Sequence, residues 1–579
     1  MIIVPARQGH FWEARQELAV AQTACRAYKN ALAWPALHMW VAETMIKAER
    51  CDIALFEMNE NKPAMVRPPK VLLNGVLSGA CFLYMIALYW YVMGDMVFWR
   101  DEALPLMIAK GNASLADLFH TLGYEGTPGL WHFLLWVTNE ATPLLPVHAK
   151  AIHFVFFGAS VFIVLFLYRV PTVFKLSYIF SYPLITQYAF EVRQYQLAAT
   201  LILLFFFLYA QEDPDRNSHP HWVLFFLAQT CVHGVILAIL LFFFLAAHRY
   251  GRDKSLWRPS YFIGVAGVIL AVLQLLPPPD LMPGVAMWDL TFSMGKLARI
   301  AWRLAHDALF PKPIFGIRLA VLFVILFRCG YLSKNPSNRL FWICLTAAGV
   351  AFFLIGYGKF SGYRHHGLLS VTLLSYFLAV VQKNPPQPRR RRLISIILIP
   401  FILSGVFEFT SNAFHHHDRP RSHGQHVAEY LDQRFPTTPI LSKTEIFEAP
   451  VRLYRRSPVP VYALGRMAYV NYTVWNHTSV DFRVNPKAES FYWSDVMENL
   501  VETPEKILQE NPILVISGRL TLDEMNDSKI ANLREIKVNE KINLVALESA
   551  ILGEKFQPLK DKILAKTENY FSRSRFSKK

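Results

Sequence analysis

Long apolar runs decide most of what this chain can become. Val71 to Met93, Ser260 to Leu276, Leu340 to Tyr357, Leu368 to Gln382 and Leu393 to Phe407 are too many and too long for the core of a soluble domain. A helix needs about 20 such residues to cross the hydrocarbon of a bilayer. A content of 53% hydrophobic and 14% aromatic residues in a 579-residue chain agrees with a membrane protein. The pattern ends near Phe409, after which the sequence is polar and mixed. The expected organisation is a multi-pass α-helical membrane domain over 71–407, then a soluble domain over 408–579. Residues 1–70 read as a cytosolic helical extension, unless translation begins at Met65 and Arg67 to Lys70 form a short basic lead-in.

Charge sets the expected orientation. Lys383 to Arg392 carries four successive arginines and no acid between two apolar runs, and basic loops stay on the cytoplasmic side. Counting outward, the N-terminus is cytoplasmic and the domain after Phe407 lies on the outer face. Two apolar stretches carry polar interruptions, Phe174 to Ala210 at Glu191 to Tyr195 and Trp222 to Ala247 at His233-Gly234. Reading each as a hairpin keeps the basic loops inside and gives about eleven membrane segments. Arms of roughly 11 to 17 residues would not cross a bilayer as straight helices, so their polar tips are expected partway down, lining a cavity. In the C-terminal domain, helical patterns at His426 to Phe435 and Ala488 to Val501 alternate with strand-like Pro439 to Ser442 and Pro512 to Ile516. That alternation predicts an outer-face α/β layer.

The sharpest chemical feature is Asp101-Glu102, just beyond the first apolar run, in an expected outer loop over 94–150. A carboxylate held against apolar surface has its pKa raised toward the range of a general base, so Asp101 is the candidate base and Glu102 its companion. Helix capping is the plainer use of one of the two acids. Charges in the bilayer are costly and usually face a functional cavity. Arg193, whose planar fork suits a phosphate, and Tyr195 are therefore candidate phosphate-binding residues, unless Glu191 merely pairs with Arg193. Arg364, within Lys359 to His366 at the outer end of a span, is the third. Lys359 reads as an interfacial anchor.

His120 and Glu125 share the outer loop with Asp101, and His233 marks the second interruption. A carboxylate with one or two histidines could hold a divalent metal, but the spacing gives no ligand signature. His415 to Asp418 reads as a solvated linker. The formal charge of +16 comes from basic residues beside apolar runs rather than from an aromatic-interleaved patch, which speaks against nucleic acid. None of the 6 cysteines falls in the C-terminal domain, so disulfides do not hold it together. Glycosylation-type sequons at Asn112, Asn471, Asn476 and Asn526 lie on the expected outer side.

Together these features resemble the GT-C superfamily of integral membrane glycosyltransferases, in particular bacterial relatives of protein O-mannosyltransferases and aminoarabinose transferases. The residues that carry the resemblance are Asp101-Glu102, Glu125 to Leu130, Arg193-Gln194-Tyr195, Thr230 to His233 and Tyr363-Arg364, in that order over Val71 to Phe407. Thr127-Pro128 stands where relatives often carry two successive prolines. The resemblance implies a polyprenyl-phosphate sugar donor reached from the outer face of a bacterial inner membrane, transfer with inversion, and a lipid, glycan or protein acceptor. It also implies Asp101 as base, with Arg193, Tyr195 and Arg364 around the lipid phosphate. The competing class is a transporter or flippase of lipid-linked saccharides, in which the same arginines would bind headgroups in transit.

Overall fold

The computed structural model describes most of residues 68–276, 335–407 and 424–470, short pieces around 293–300, and three further strands between Ile513 and Ala546. The N-terminal extension, most of Pro277 to Pro313, all of Ile314 to Phe327, Lys359, His415 to Asp418, the helix expected at Ala488 to Val501, and the sequons at Asn471, Asn476 and Asn526 lie outside the described residues.

The first apolar run forms α1 (Pro68–Gly94), 27 residues with no acidic residue in its first turn and no basic residue in its last. Three short helices follow where one outer loop was expected: α2 (Arg100–Gly111), α3 (Leu115–Glu125) and α4 (Leu130–Ala141). Each has a local cause for its ends. Ser114 caps α3 by accepting the Asp117 N–H. Gly126, at φ 63°, closes the same helix in the left-handed conformation that a residue with a Cβ adopts at a cost. With 12, 11 and 12 residues none of the three is long enough to cross a bilayer. In the remaining sequon the Asn112 side chain is buried, its amide donating to the Ile108 carbonyl at 2.7 Å.

Beyond them run α5 (Pro146–Phe162), which continues through a π turn at Ile163–Leu167, and α6 (Thr172–Ile179). A second π turn (Pro183–Tyr188) leads to α7 (Gln194–Ala210), then α8 (His219–Ala228), α9 (Val232–Asp253) and α10 (Ser260–Gln274). Two long helices, α11 (Pro336–Gly358) and α12 (Tyr363–Lys383), complete the described bundle before 388–407. Among the described residues, four stretches are long and apolar enough to span a membrane: Pro146–Leu167, Val232–Tyr250, Pro336–Gly356 and Arg364–Lys383. The last is 78% buried and so central. This is an integral membrane protein.

Helices break at or near both expected interruptions. The first falls between the π turn at Pro183–Tyr188 and α7, at Glu191 to Arg193. The second falls at Gln229 to Cys231, ahead of His233-Gly234, which lie inside the first turn of α9. That shift corrects the expectation of two short arms: α8 has 10 residues, but α9 has 22 and is among the helices long enough to cross.

A smaller layer follows. Helices α13 (Gly424–Arg434) and α14 (Glu445–Tyr454) flank β1 (Ile440–Ser442), and an ion pair from Arg455 to Asp432 at 3.2 Å ties them together. The sheet continues with β2 (Val461–Ala463), β3 (Ala468–Val470), β4 (Ile513–Ser517), β5 (Arg534–Asn539) and β6 (Ile542–Ala546), in the order β3-β2-β1-β4-β6-β5. Strand β1 pairs parallel with β2 and β4, and the β1-to-β2 connection crosses over through α14, as a parallel pair requires. Helix α14 also packs on α2, and the Tyr454 hydroxyl accepts the Phe98 N–H at 2.9 Å.

Helix α12 comes close to the second π turn because residue 367 is glycine. A Cβ there would stand 2.7 Å from the Tyr188 hydroxyl and 2.8 Å from Pro183 Cβ, whereas one on Gly349 would meet nothing within 4 Å. Gly367→Ala is therefore expected to destabilise the protein by about 1 to 3 kcal/mol through overpacking. Gly349→Ala should be neutral or stabilise the helix slightly. Thermal unfolding of the two purified variants in the same detergent would check the pair, and equal melting temperatures would count against this packing.

Candidate functional site

The site is built where three helices begin. Asp101 and Glu102 lie in the first turn of α2, Arg193 is the residue immediately before α7, and Arg364 is in the first turn of α12. Helix N-termini carry partial positive charge from their unpaired N–H groups. Acidic residues at the start of α2 are at home there. Arginines at the starts of α7 and α12 are not, and they need an anion.

Asp101 supplies one. Its Oδ2 accepts from Arg193 Nη1 at 3.1 Å and from Arg364 Nη2 at 2.8 Å, and its Oδ1 accepts from Arg100 Nε at 2.8 Å. The side chains of Asp101, Arg193 and Arg364 are 14%, 13% and 19% exposed, so these pairs are poorly screened by water. Aromatic faces hold the guanidinium groups: Arg193 and Arg364 lie 5.7 and 5.9 Å from the Tyr195 ring centroid, and Arg364 lies 5.7 Å from that of Trp99.

Glu102 has a different task from its neighbour. It is 0% exposed; Oε2 accepts the Trp99 N–H at 3.1 Å and Oε1 accepts the Val192 N–H at 2.9 Å. It thus caps α2 and ties it to the break that carries Arg193. The hydroxyl of Tyr195 meets His365 Nε2 at 2.9 Å, and Tyr188 donates to the Arg364 carbonyl at 2.8 Å. The plainer alternative, a Glu191 to Arg193 pair, is not what forms: Arg193 pairs with Asp101, while Glu191 Oε2 and Arg193 Nε are buried without a hydrogen-bond partner.

The acid-base expectation for Asp101 is reversed by these contacts. Burial alone would raise its pKa, but Arg193, Arg100 and Arg364 together outweigh burial and lower it from 3.8 to about 2. A carboxylate in that state is ionised and a weak base.

Of the remaining candidates, the structure brings His233 to the site and leaves His120 outside it. His233 is buried and stacks on His365 with ring centroids 4.5 Å apart. His120 is exposed on α3 beside Tyr124, and Glu125 ends that helix, partly buried. Among the described residues no three His, Cys, Asp or Glu side chains converge as a metal-binding group. Three parts of the site were not singled out from sequence: His365 as the partner of Tyr195, Trp99 as a guanidinium platform, and the contact of Tyr454 with Phe98. His365 sits in the Lys359 to His366 cluster, so a signal existed; Trp99 adjoins the acidic pair; nothing in the sequence links Tyr454 to Phe98.

Because the pKa of Asp101 is depressed, its ion pairs contribute stability that is fully present above about pH 4 and lost as pH falls through about 2. The contribution is roughly 2 kcal/mol. In unfolding measurements across this range, the stability advantage of the wild type over Asp101→Asn should shrink as pH falls from about 4 to about 2. An advantage independent of pH would mean that Asp101 is not paired in this way.

No protein-family model matches the chain, and no curated protein sequence matches it. Solved structures do. ArnT from Cupriavidus metallidurans bound to undecaprenyl phosphate aligns with a TM-score of 0.51 at 14% identity, covering 83% of this chain and 99% of that one. The apo state of the same protein aligns with a TM-score of 0.50 at 12% identity, covering 82% and 99%. The mycobacterial arabinofuranosyltransferase AftD gives 0.45 at 12% identity, covering 81% and 40%. The chain shares the fold of ArnT.

Proposed function

We propose that this protein is a glycosyltransferase that moves a sugar from a polyprenyl-phosphate donor to an acceptor hydroxyl or amine at the outer face of a bacterial inner membrane. The observation that carries the reading is how the guanidinium groups are presented: Arg193 and Arg364 each give Asp101 a single nitrogen, and Arg193 Nε is buried with nothing to donate to. Such an arrangement suits an anion with several acceptor oxygens, as a phosphate has. The fold supports the same reading, since ArnT was crystallised with undecaprenyl phosphate.

In this proposal Arg193 and Arg364 hold the donor phosphate, and Asp101 takes the proton of the acceptor as it attacks the anomeric carbon from the face opposite the phosphate, giving inversion. Glu102 positions α2 rather than reacting, because both its oxygens are occupied by backbone N–H groups. Tyr195 carries the two guanidinium groups on its ring and is itself held by His365, with His233 stacked behind. The basic run from Lys383 to Arg392 supports a topology with the N-terminus in the cytoplasm and the domain from residue 408 in the periplasm. Helix α14 of that domain, packed on α2, would steady the start of the catalytic helix from outside.

The test is transfer of labelled sugar from a polyprenyl-phosphate donor in proteoliposomes, with a panel of lipid, glycan and peptide acceptors. Asp101→Asn should lower kcat by about 10² to 10⁴ while the donor still binds. Full transfer by this variant would remove Asp101 from the chemistry. Movement of the lipid-linked saccharide across the bilayer without transfer would favour a transporter.

A further inference from the structure

Arg193 and Arg364 each offer Asp101 a single nitrogen, and both bind the same oxygen, Oδ2. A guanidinium has five N–H donors in a planar fork, so donors remain on each for a second anion. Arg193 Nε is one of them, buried and unpartnered. The Tyr195 ring under both groups fixes them side by side, 5.7 and 5.9 Å from its centroid. Two cations held on one platform next to one carboxylate can serve two anions in turn.

The reaction itself moves negative charge between two such anions. The bond between the anomeric carbon and the phosphate oxygen breaks with its electron pair going to the phosphate, while the acceptor oxygen bonds to that carbon and gives its proton to Asp101. A phosphodiester of charge −1 becomes a phosphomonoester of charge −2, and the carboxylate goes from −1 to neutral. The total stays at −2. Only its location changes.

We propose that Arg193 and Arg364 are shared between the base and the leaving group: they hold Asp101 in the resting protein and transfer their hydrogen bonds to the phosphate as charge moves to it. This rests on the glycosyltransferase reading above and adds a role to it. In the resting state the arginines keep Asp101 a weak base. A phosphate that draws them away restores its basicity only when a donor is in place. Once protonated, Asp101 no longer competes for the arginines, so the dianionic leaving group is bound more firmly at the moment it forms. The product polyprenyl phosphate and the ionised Asp101 are then rivals for the same donors.

That rivalry is measurable without turnover. The full-length protein in nanodiscs is titrated with undecaprenyl phosphate, with undecaprenol as the uncharged control, for wild type, Asp101→Asn and Glu191→Gln. Glu191 acts on Arg364 through its charge, whereas Asp101 bonds it directly, so Glu191→Gln reports what removing a negative charge does by itself. Asp101→Asn should bind undecaprenyl phosphate about tenfold more tightly than wild type, and Glu191→Gln within about twofold of it. Equal affinity in all three proteins, or equal tightening in both variants, would overturn the sharing of the arginines and leave the phosphate site standing. No preference for the phosphate over undecaprenol in any of them would overturn the glycosyltransferase reading itself. Should Asp101→Asn fail to fold, the carboxylate stretch of Asp101 in the wild type gives the answer by infrared difference spectroscopy on adding undecaprenyl phosphate. A shift toward a carboxylate without guanidinium partners is expected, and no shift would refute the proposal.

Discussion

The contact on which the site depends is the carboxylate of Asp101, held between guanidinium groups that come from far along the chain. Arg193 and Arg364 stand at the starts of two buried helices, where the helix dipoles add positive charge to positive charge. Without an anion this arrangement would push those helix ends apart or draw in water. With Asp101 present, α2, α7 and α12 can begin at one point. Removing one partner of a buried ion pair commonly costs about 3 to 5 kcal/mol, because the other charge is left uncompensated. The candidate site is thus also a structural joint.

Other contacts make the joint stiff. Glu102 reaches from α2 to the backbone of Val192, so the acidic pair divides its work: one carboxylate fixes the backbone and the other faces the arginines. Gly367 lets α12 approach the π turn at Pro183–Tyr188, and Tyr188 secures the carbonyl of Arg364. Tyr195 and His365 link the two arginine-bearing helices by a hydrogen bond. A π turn beside a catalytic group is a common use of that irregular geometry. Here it aims a tyrosine across to the neighbouring helix.

Much of this was legible in the sequence, for a physical reason. Charged residues in or beside apolar runs are expensive, so Asp101, Arg193 and Arg364 stood out individually, and they do meet. The breaks at Glu191 to Arg193 and at Gln229 to Cys231 could be anticipated from polar interruptions, although the second was misplaced because His233 can be carried within a helix once its ring stacks on His365. The direction of the Asp101 pKa shift was not legible. It depends on how many cations reach one carboxylate, and that is a property of three-dimensional convergence. The division of labour between Asp101 and Glu102 was hidden for the same reason, since adjacent side chains on a helix point about 100° apart.

The proposed phosphate-binding pair, Arg193 and Arg364, is occupied by Asp101 at rest. The most direct measurement is a structure of the protein bound to undecaprenyl phosphate, determined by electron cryomicroscopy in nanodiscs. The expected result is a phosphate within hydrogen-bonding reach of both guanidinium groups, with Asp101 no longer bonded to them. A phosphate bound elsewhere, with the Asp101 pairs to Arg193 and Arg364 intact, would contradict the account.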